Sequence, residues 1–141
     1  MSSSGKTMID YSRYQEIPWK DKGRGWNGCD CWGLACLFLR EECGVTVQDP
    51  GSYVTCRDIE RVRRIAEEEK RNWVLITAPI KGDVVDLSLS ERDFHVGVVV
   101  TPGWVMHIEQ GGWPQIVELK SKRIFCRIRG YWRYRGSDQT S

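Results

Sequence analysis

The sequence lacks any apolar run approaching the roughly 20 residues that a membrane-spanning helix needs. Its N-terminal segment, MSSSGKTMID, also contains no apolar stretch of the kind that a signal peptide requires. These two absences predict no membrane span and no signal peptide. We therefore expect a protein that stays in a reducing cytoplasm or is assembled there into a larger structure.

An excess of charge of one sign is also missing, because the formal net charge of the 141 residues is only +2. A nucleic-acid-binding protein is usually more basic, with clustered cations, so no nucleic-acid partner is predicted. Hydrophobic residues make up 40% and charged residues 28% of the chain, which is typical of a globular domain with its own core. We predict a single domain over residues 15–134, with flexible tails at residues 1–14 and 135–141.

Six cysteines are present, at positions 29, 31, 36, 43, 56 and 126. A reducing compartment disfavours a disulfide framework. The spacing Cys29-x-Cys31, together with two histidines, permits a zinc site. Structural zinc sites, however, usually separate their thiols by about two to four residues. Because Cys31 is also expected at a helix N-terminus, the metal alternative is weak, and we predict neither a metal nor another cofactor.

The periodicity of apolar residues predicts helices first and strands afterwards. The segment Cys31–Cys43 has Asp30 as a candidate N-cap and Gly44 as a stop signal, and a second helix is predicted from about Arg57 to Arg71, capped by Thr55. The predicted strands are Trp73–Ile76, Asp83–Leu87, Phe94–Val100, Trp104–Ile108, Ile116–Leu119 and Phe125–Arg133. This order indicates an α+β fold in which an antiparallel sheet packs on the first helix.

The position of Cys31 at a helix start has chemical consequences. Unpaired N–H groups and the positive end of the helix dipole favour a thiolate, so the pKa of Cys31 should fall below the reference value of about 8.5. The same N–H groups can stabilise an oxyanion when a carbonyl is attacked. Taken alone, a cysteine in the first turn of a core helix is more often a small buried residue. Assigning Cys31 as a nucleophile therefore requires a second observation.

The second observation concerns the histidines, of which the chain has only two. His95 opens one predicted strand and His107 lies in the next, and a hairpin through residues 101–103 would bring both rings to one face. This arrangement suits a relay in which His95 takes the thiol proton and His107 holds the imidazole of His95 in the useful tautomer. A single histidine in a strand is more often structural, so the order of Cys31, His95 and His107 carries the interpretation.

Four short motifs, taken in order, resemble those of the NlpC-type cell-wall cysteine peptidases, and more narrowly the phage-tail branch of that family. The motifs are DCWGL at 30–34, GDVV at 82–85, HVGV at 95–98 and His107. Residues 17–25 also resemble the segment that leads to the family's nucleophile, and residues 130–134 resemble its closing strand. The resemblance spans roughly residues 15–134.

The resemblance implies a papain-like α+β fold of the NlpC type, with N-terminal helices packed on a central antiparallel β-sheet. It implies hydrolysis of amide bonds in peptidoglycan stem peptides, often the bond between D-γ-glutamate and a diamino acid. Cys31 would then be the nucleophile, His95 the base and His107 the third polar member.

Three further positions are implied to bind substrate. Trp19 falls where many relatives have a pocket-lining Tyr, and it lacks the hydroxyl of that residue. Asp30 falls where a carboxylate can meet the free amine of the substrate. Trp32 replaces the Ser of the bacterial branch and is usual in the phage branch.

These observations predict a cysteine-type murein endopeptidase that acts through a covalent thioester. Its expected partners are peptidoglycan peptides and the tip or hub proteins of a phage or phage-like tail. Its expected location is the virion tail, or the host cytoplasm before assembly. The main alternative is a structural tail-assembly protein that keeps the peptidase fold without hydrolysing the wall. A weaker alternative is an acyltransferase or a different amidase on the same fold.

Overall fold

The computed structural model describes residues 10–47, 58–90 and 93–135. In those segments, no helix has the length and apolar character needed to cross a bilayer. The named elements are β1 (Arg24–Gly25), β2 (Gly28–Cys29), α1 (Cys31–Cys43), α2 (Ile59–Glu69), β3 (Trp73–Ile76), β4 (Val84–Asp86), β5 (Val96–Thr101), β6 (Trp104–His107), β7 (Gln115–Glu118), α3 (Lys122–Phe125) and β8 (Gly130–Tyr134). Short 3₁₀ turns lie at Tyr14–Glu16 and Lys70–Asn72. Helices are thus combined with a sheet, which confirms the predicted α+β class.

Within the described residues, the sheet has six strands in the order β3-β8-β4-β5-β6-β7. Every neighbouring pair is antiparallel, as expected for a sheet that one helix covers. Strands β1 and β2 form a separate hairpin just before α1. Helix α1 packs across β5 and β6, so the start of the helix lies near the strands that carry the two histidines.

Helix α1 begins and ends at the residues that the sequence indicated. The Asp30 side chain accepts a hydrogen bond from the backbone N–H of Gly33 at 2.7 Å, as an N-cap residue should. Gly44 ends the helix in the left-handed region, with a φ of 67°. The apolar face of α1 belongs to a core that includes Leu34, Leu37, Phe38, Val98, Val100 and Met106. Burial of this face fixes the helix, and Cys31 with it, against the sheet.

Gly33 allows the first turn of α1 to approach the loop before β1. A Cβ atom at this position would overlap the carbonyl oxygen of Gly23, which is rigid backbone. We expect Gly33→Ala to lower the free energy of unfolding by about 1–3 kcal/mol, because the overlap must be relieved by moving the loop or the helix. Urea unfolding measures the change. Gly25→Ala is the matched control, since its Cβ would meet nothing within 4 Å. Equal losses in the two variants would contradict the close approach.

The predicted N-terminal tail, residues 1–14, extends too far along the chain. Tyr11 and Tyr14 are 6% and 1% exposed, and their rings lie 5.2 Å and 5.6 Å from the ring of Phe38 on α1. Two aromatic rings bury enough apolar surface to hold this segment on the domain. The packed region therefore includes these two tyrosines, and the prediction that 11–14 belong to a flexible tail is wrong. Residues 1–9 and 136–141 of the predicted tails lie outside the described residues.

Several predicted elements begin later than expected, by one or two residues at β4 and β5 and by five at the last strand. Helix α2 starts at Ile59 with Asp58 as its cap, whereas Thr55 and Arg57 lie outside the described residues. The last predicted strand, Phe125–Arg133, is wrong in its first half because residues 122–125 form α3 and β8 starts at Gly130. The carbonyl oxygen of Ser121 accepts bonds from the N–H groups at positions 124 and 125, so local turn bonding overrides the apolar pattern there.

Candidate active site

Cys31 is the first residue of α1 and lines a cavity of about 460 Å³. Its side chain is only 6% exposed, and its Sγ lies 4.0 Å from the carbonyl oxygen of Phe94, which also lines the cavity. The helix start therefore places a buried thiol at the point where the core borders a cavity. The positive end of the α1 dipole favours negative charge at this position.

Asp30 holds the segment before the nucleophile in place. Its carboxylate is 1% exposed and accepts hydrogen bonds from Gly33 N at 2.7 Å, Lys22 N at 3.1 Å and Arg24 Nη1 at 2.9 Å. These bonds join the loop at residues 22–24 to the N-terminus of α1. Asp30 is thus a cap and an anchor, and it also borders the cavity. The contact between Asp30 and a substrate amine stays a prediction. The amine would have to bond to the same carboxylate as the three donors named above.

The structure brings the two histidines together. His95 directly precedes β5 and His107 ends the neighbouring strand β6, and Nε2 of His95 lies 2.9 Å from Nδ1 of His107. Gly97 allows β5 to lie close to His107, because a Cβ atom at this position would be 3.3 Å from the Cβ of His107 and would crowd the Cγ2 of Val105 on β6. The backbone N–H of His95 donates to Ser88 Oγ at 3.1 Å, which fixes the start of β5. Ser88 has no sequence signal that singles it out.

The protonation of His107 follows from its position. Burial, with the neighbouring charge of His95 as the second cause, lowers the pKa of His107 from 6.5 to about 4. His107 is therefore neutral near neutral pH, and its Nδ1 can accept a hydrogen bond from Nε2–H of His95. With Nε2 engaged in this way, Nδ1 is the ring nitrogen of His95 that remains for proton transfer. A histidine that acts as a general base through Nδ1 requires this tautomer.

The two tryptophans that we predicted to contact substrate differ in whether they line the cavity. Trp19 lines the cavity together with Cys31 and His95. Trp32 is not among the described residues that line it, and its ring lies 5.7 Å from the ring of Trp73. The residue that follows Cys31 in a helix points about 100° away from it, so Trp32 packs toward β3 instead. The structure therefore does not bring Trp32 to the cavity where we predicted a substrate contact.

Three charged residues on the cavity wall were not found from the sequence. They are Asp93, Glu109 and Arg127, which come from three separate segments. Nη1 of Arg127 lies 3.2 Å from Oε2 of Glu109, and Nη2 lies 3.8 Å from Oδ2 of Asp93. Each lies outside a recognisable motif, so only the folded chain assembles them.

The donor groups do not favour the zinc alternative. Cys29 is fully buried, its Sγ donates to Gly25 O at 3.2 Å, and burial raises its pKa to about 12, so a thiolate ligand is unfavourable there. A second candidate group is formed by His95, His107 and Glu109, whose ligand atoms lie within 4.8 Å of one another. The histidines in that group are bonded to each other, and Glu109 is paired with Arg127. Metal analysis of the purified protein tests both groups.

Two comparisons with known proteins bear on this arrangement. The sequence model of the NlpC/P60 family matches residues 11–133, a range that contains Cys31, His95 and His107. A comparison with curated proteins finds no match. The family match covers most of the chain and begins at Tyr11, the first aromatic residue packed on α1.

Proposed function

The chain belongs to the NlpC/P60 family, whose members are generally cysteine hydrolases that act on peptidoglycan, and we propose that it cleaves the D-γ-glutamyl–diamino acid bond of stem peptides. One observation carries the proposal. Cys31 begins a helix at the wall of the same cavity that is lined by His95, and His95 is bonded to a neutral His107. This set of groups fits acyl transfer through a thioester.

Acylation would begin with transfer of the Cys31 proton to Nδ1 of His95. The thiolate then attacks the amide carbonyl carbon, a C–S bond forms, and the oxyanion develops near the positive end of the α1 dipole. Protonated His95 gives its proton to the amide nitrogen as the C–N bond breaks. The amine product leaves, and the acyl group stays on Cys31 as a thioester.

Deacylation would use His95 again, this time as the base that activates water. His95 takes a proton from water, the hydroxyl oxygen attacks the thioester carbonyl, and the C–S bond breaks. The proton returns from His95 to the sulfur, so the enzyme is restored and a carboxylic acid is released. Throughout the cycle His107 accepts the Nε2–H bond of His95 and stabilises the imidazolium that forms twice.

Digestion of purified peptidoglycan tests the proposal. Walls of the diaminopimelate type and of the lysine type should be incubated with the protein, and the products identified by mass spectrometry. We expect fragments that end in D-glutamate, paired with fragments that begin at the diamino acid. Cleavage at another amide would overturn the assigned bond, and no release from either wall would overturn wall hydrolysis.

We further propose that a phage or phage-like tail tip delivers the enzyme to the wall. The residue that supports this idea is Trp32, since tryptophan after the nucleophile is usual in the phage-tail branch that the sequence resembles. Mass spectrometry of purified tail particles tests it. Detection of the chain in particles supports delivery by the tail, whereas its recovery only from the particle-free lysate contradicts it.

Thiol labelling separates an active site from an inert fold kept for tail assembly. In a Cys126→Ser background, which removes the exposed thiol among the cysteines that the structure describes, we expect Cys31 to react with iodoacetamide near neutral pH about 10-fold faster than Cys36. Cys29 should stay unlabelled until the protein unfolds, because burial raises its pKa to about 12. Peptide mass spectrometry reports each rate. Labelling of Cys31 no faster than Cys36 would favour the inert fold.

A further inference from the structure

We propose that Arg127 binds a free carboxylate of the stem peptide beside the scissile bond. This inference rests on the proposed function and names the group of the substrate that the cavity recognises. Arg127 lines the cavity that contains Cys31 and His95. Among the described residues of that lining, it is the side chain that carries a permanent positive charge.

The guanidinium of Arg127 is held in a fixed orientation. Its Nε donates to the carbonyl oxygen of Leu87 at 3.0 Å, and the side chain is only 16% exposed. A fixed fork of N–H donors suits a carboxylate, because two parallel hydrogen bonds form without further loss of side-chain freedom. The bond to Leu87 uses Nε and leaves the two terminal nitrogens directed at the acidic residues of the cavity wall.

The present partners of those nitrogens are easily displaced. Glu109 is 56% exposed and Asp93 is 33% exposed, and ion pairs at such positions are weakened by water and salt. Asp93 also accepts a hydrogen bond from the backbone N–H of Leu89 at 2.8 Å, so its carboxylate keeps a donor when a terminal nitrogen of Arg127 bonds to substrate instead. A substrate carboxylate that enters the cavity can therefore replace Glu109 at little cost.

Two carboxylates of a stem peptide lie close to the proposed bond. When D-glutamate is linked through its γ-carbonyl, its α-carboxylate is left free. When the diamino acid is the last residue of the stem, as in a tripeptide, it carries a second free carboxylate on the carbon that bears the scissile nitrogen. Both are separated from the attacked carbonyl by only a few covalent bonds, so either can reach a cation on the wall that holds Cys31 and His95.

Arg129 provides a matched control for Arg127. Its Nε donates to Ser88 O at 2.7 Å and its Nη2 donates to Leu89 O at 3.1 Å, so both arginines hold the segment at residues 87–89. Arg129 is not among the described residues that line the cavity. A structural effect of losing an arginine bond to this segment should appear in both variants, whereas an effect on substrate carboxylates should appear only at Arg127.

The experiment compares three synthetic tripeptides, L-alanyl-γ-D-glutamyl-diamino acid, with the diamino acid of whichever wall the enzyme digests. One has both carboxylates free, one has the glutamate α-carboxylate amidated, and one has the diamino acid carboxylate amidated. For the parent, we expect kcat/KM to fall about 10- to 100-fold when the recognised carboxylate is amidated. Arg127→Gln should remove this preference by lowering the rate on the free acid. Arg129→Gln should retain it.

The amidated peptide that loses activity identifies which of the two carboxylates Arg127 binds. A parent that cleaves all three peptides equally would overturn the inference while leaving the proposed function intact. Failure of the parent to cleave any of them would overturn the proposed function and this inference with it. If Arg127→Gln does not fold, Glu109→Gln gives an independent test. Loss of the competing carboxylate should raise kcat/KM on the free acid by about 2- to 5-fold relative to the amidated peptide, and an unchanged ratio would count against Arg127.

Discussion

Replacement of Cys31 by alanine is expected to lower the rate of stem-peptide cleavage by about 10⁴-fold or more, to the background of the assay. In the proposed mechanism the sulfur of Cys31 forms the thioester, and the methyl group of alanine cannot replace it. The fold should persist because the change removes one small atom at the wall of a cavity, where Cys31 is 6% exposed. Release of soluble peptides from purified peptidoglycan measures the rate, and circular dichroism with urea unfolding measures the fold.

Cys36→Ala is the control for this variant, because Cys36 lies on the same helix and is partly exposed. It should cleave peptides at close to the parent rate. Cleavage by Cys31→Ala at the parent rate would show that another group performs the chemistry, and the thioester mechanism would then be wrong. Loss of activity in both variants, with intact folds, would point to disturbance of α1 rather than loss of a nucleophile.

The elements that position Cys31 could be predicted because their signals are local. Asp30 caps α1 and Gly44 ends it, and both effects depend on residues within one or two turns. The six sheet strands are separated by turn residues, so their positions were predictable even where their ends shifted. The meeting of His95 with His107 required only one further assumption, the hairpin that joins β5 and β6.

The parts that could not be predicted depend on contacts between distant segments. Tyr14 looked like part of a polar tail, yet its ring packs on Phe38, which lies on another element. Arg127 belonged to a predicted strand and gave no sign that it would meet Glu109. Trp32 was assigned to substrate through its place in a motif, and a motif does not say toward which neighbour a side chain turns. Sequence reasoning thus predicted that His95 and His107 meet, but it did not predict which charged residues line the cavity.

Acid should destabilise this protein through His107. The pKa of this residue is about 4 in the fold, against 6.5 for the free side chain, because burial disfavours its charged form. Below pH 6.5 the unfolded chain therefore takes up a proton that the fold does not, so stability falls as the pH drops and the loss is complete near pH 4. A shift of this size corresponds to about 3 kcal/mol of unfolding free energy. Above pH 6.5 the contribution is constant, since His107 is neutral in both states.

His107→Asn isolates this effect, because the Asn oxygen can accept the bond from Nε2–H of His95 and does not titrate. Urea unfolding of the parent and the variant at about pH 7 and about pH 4 gives the two pH dependences. We expect the parent to lose about 3 kcal/mol more than the variant over this range, whatever their relative stability at neutral pH. Other groups near His107, including His95, Glu109, Arg123 and Arg127, remain in both proteins, so their titration cancels in the difference to first order. Equal losses would mean that His107 takes up its proton in the fold as readily as in the unfolded chain. In that case it would become a cation as the pH falls through the usual range of histidine, and it could no longer accept the hydrogen bond that orients His95.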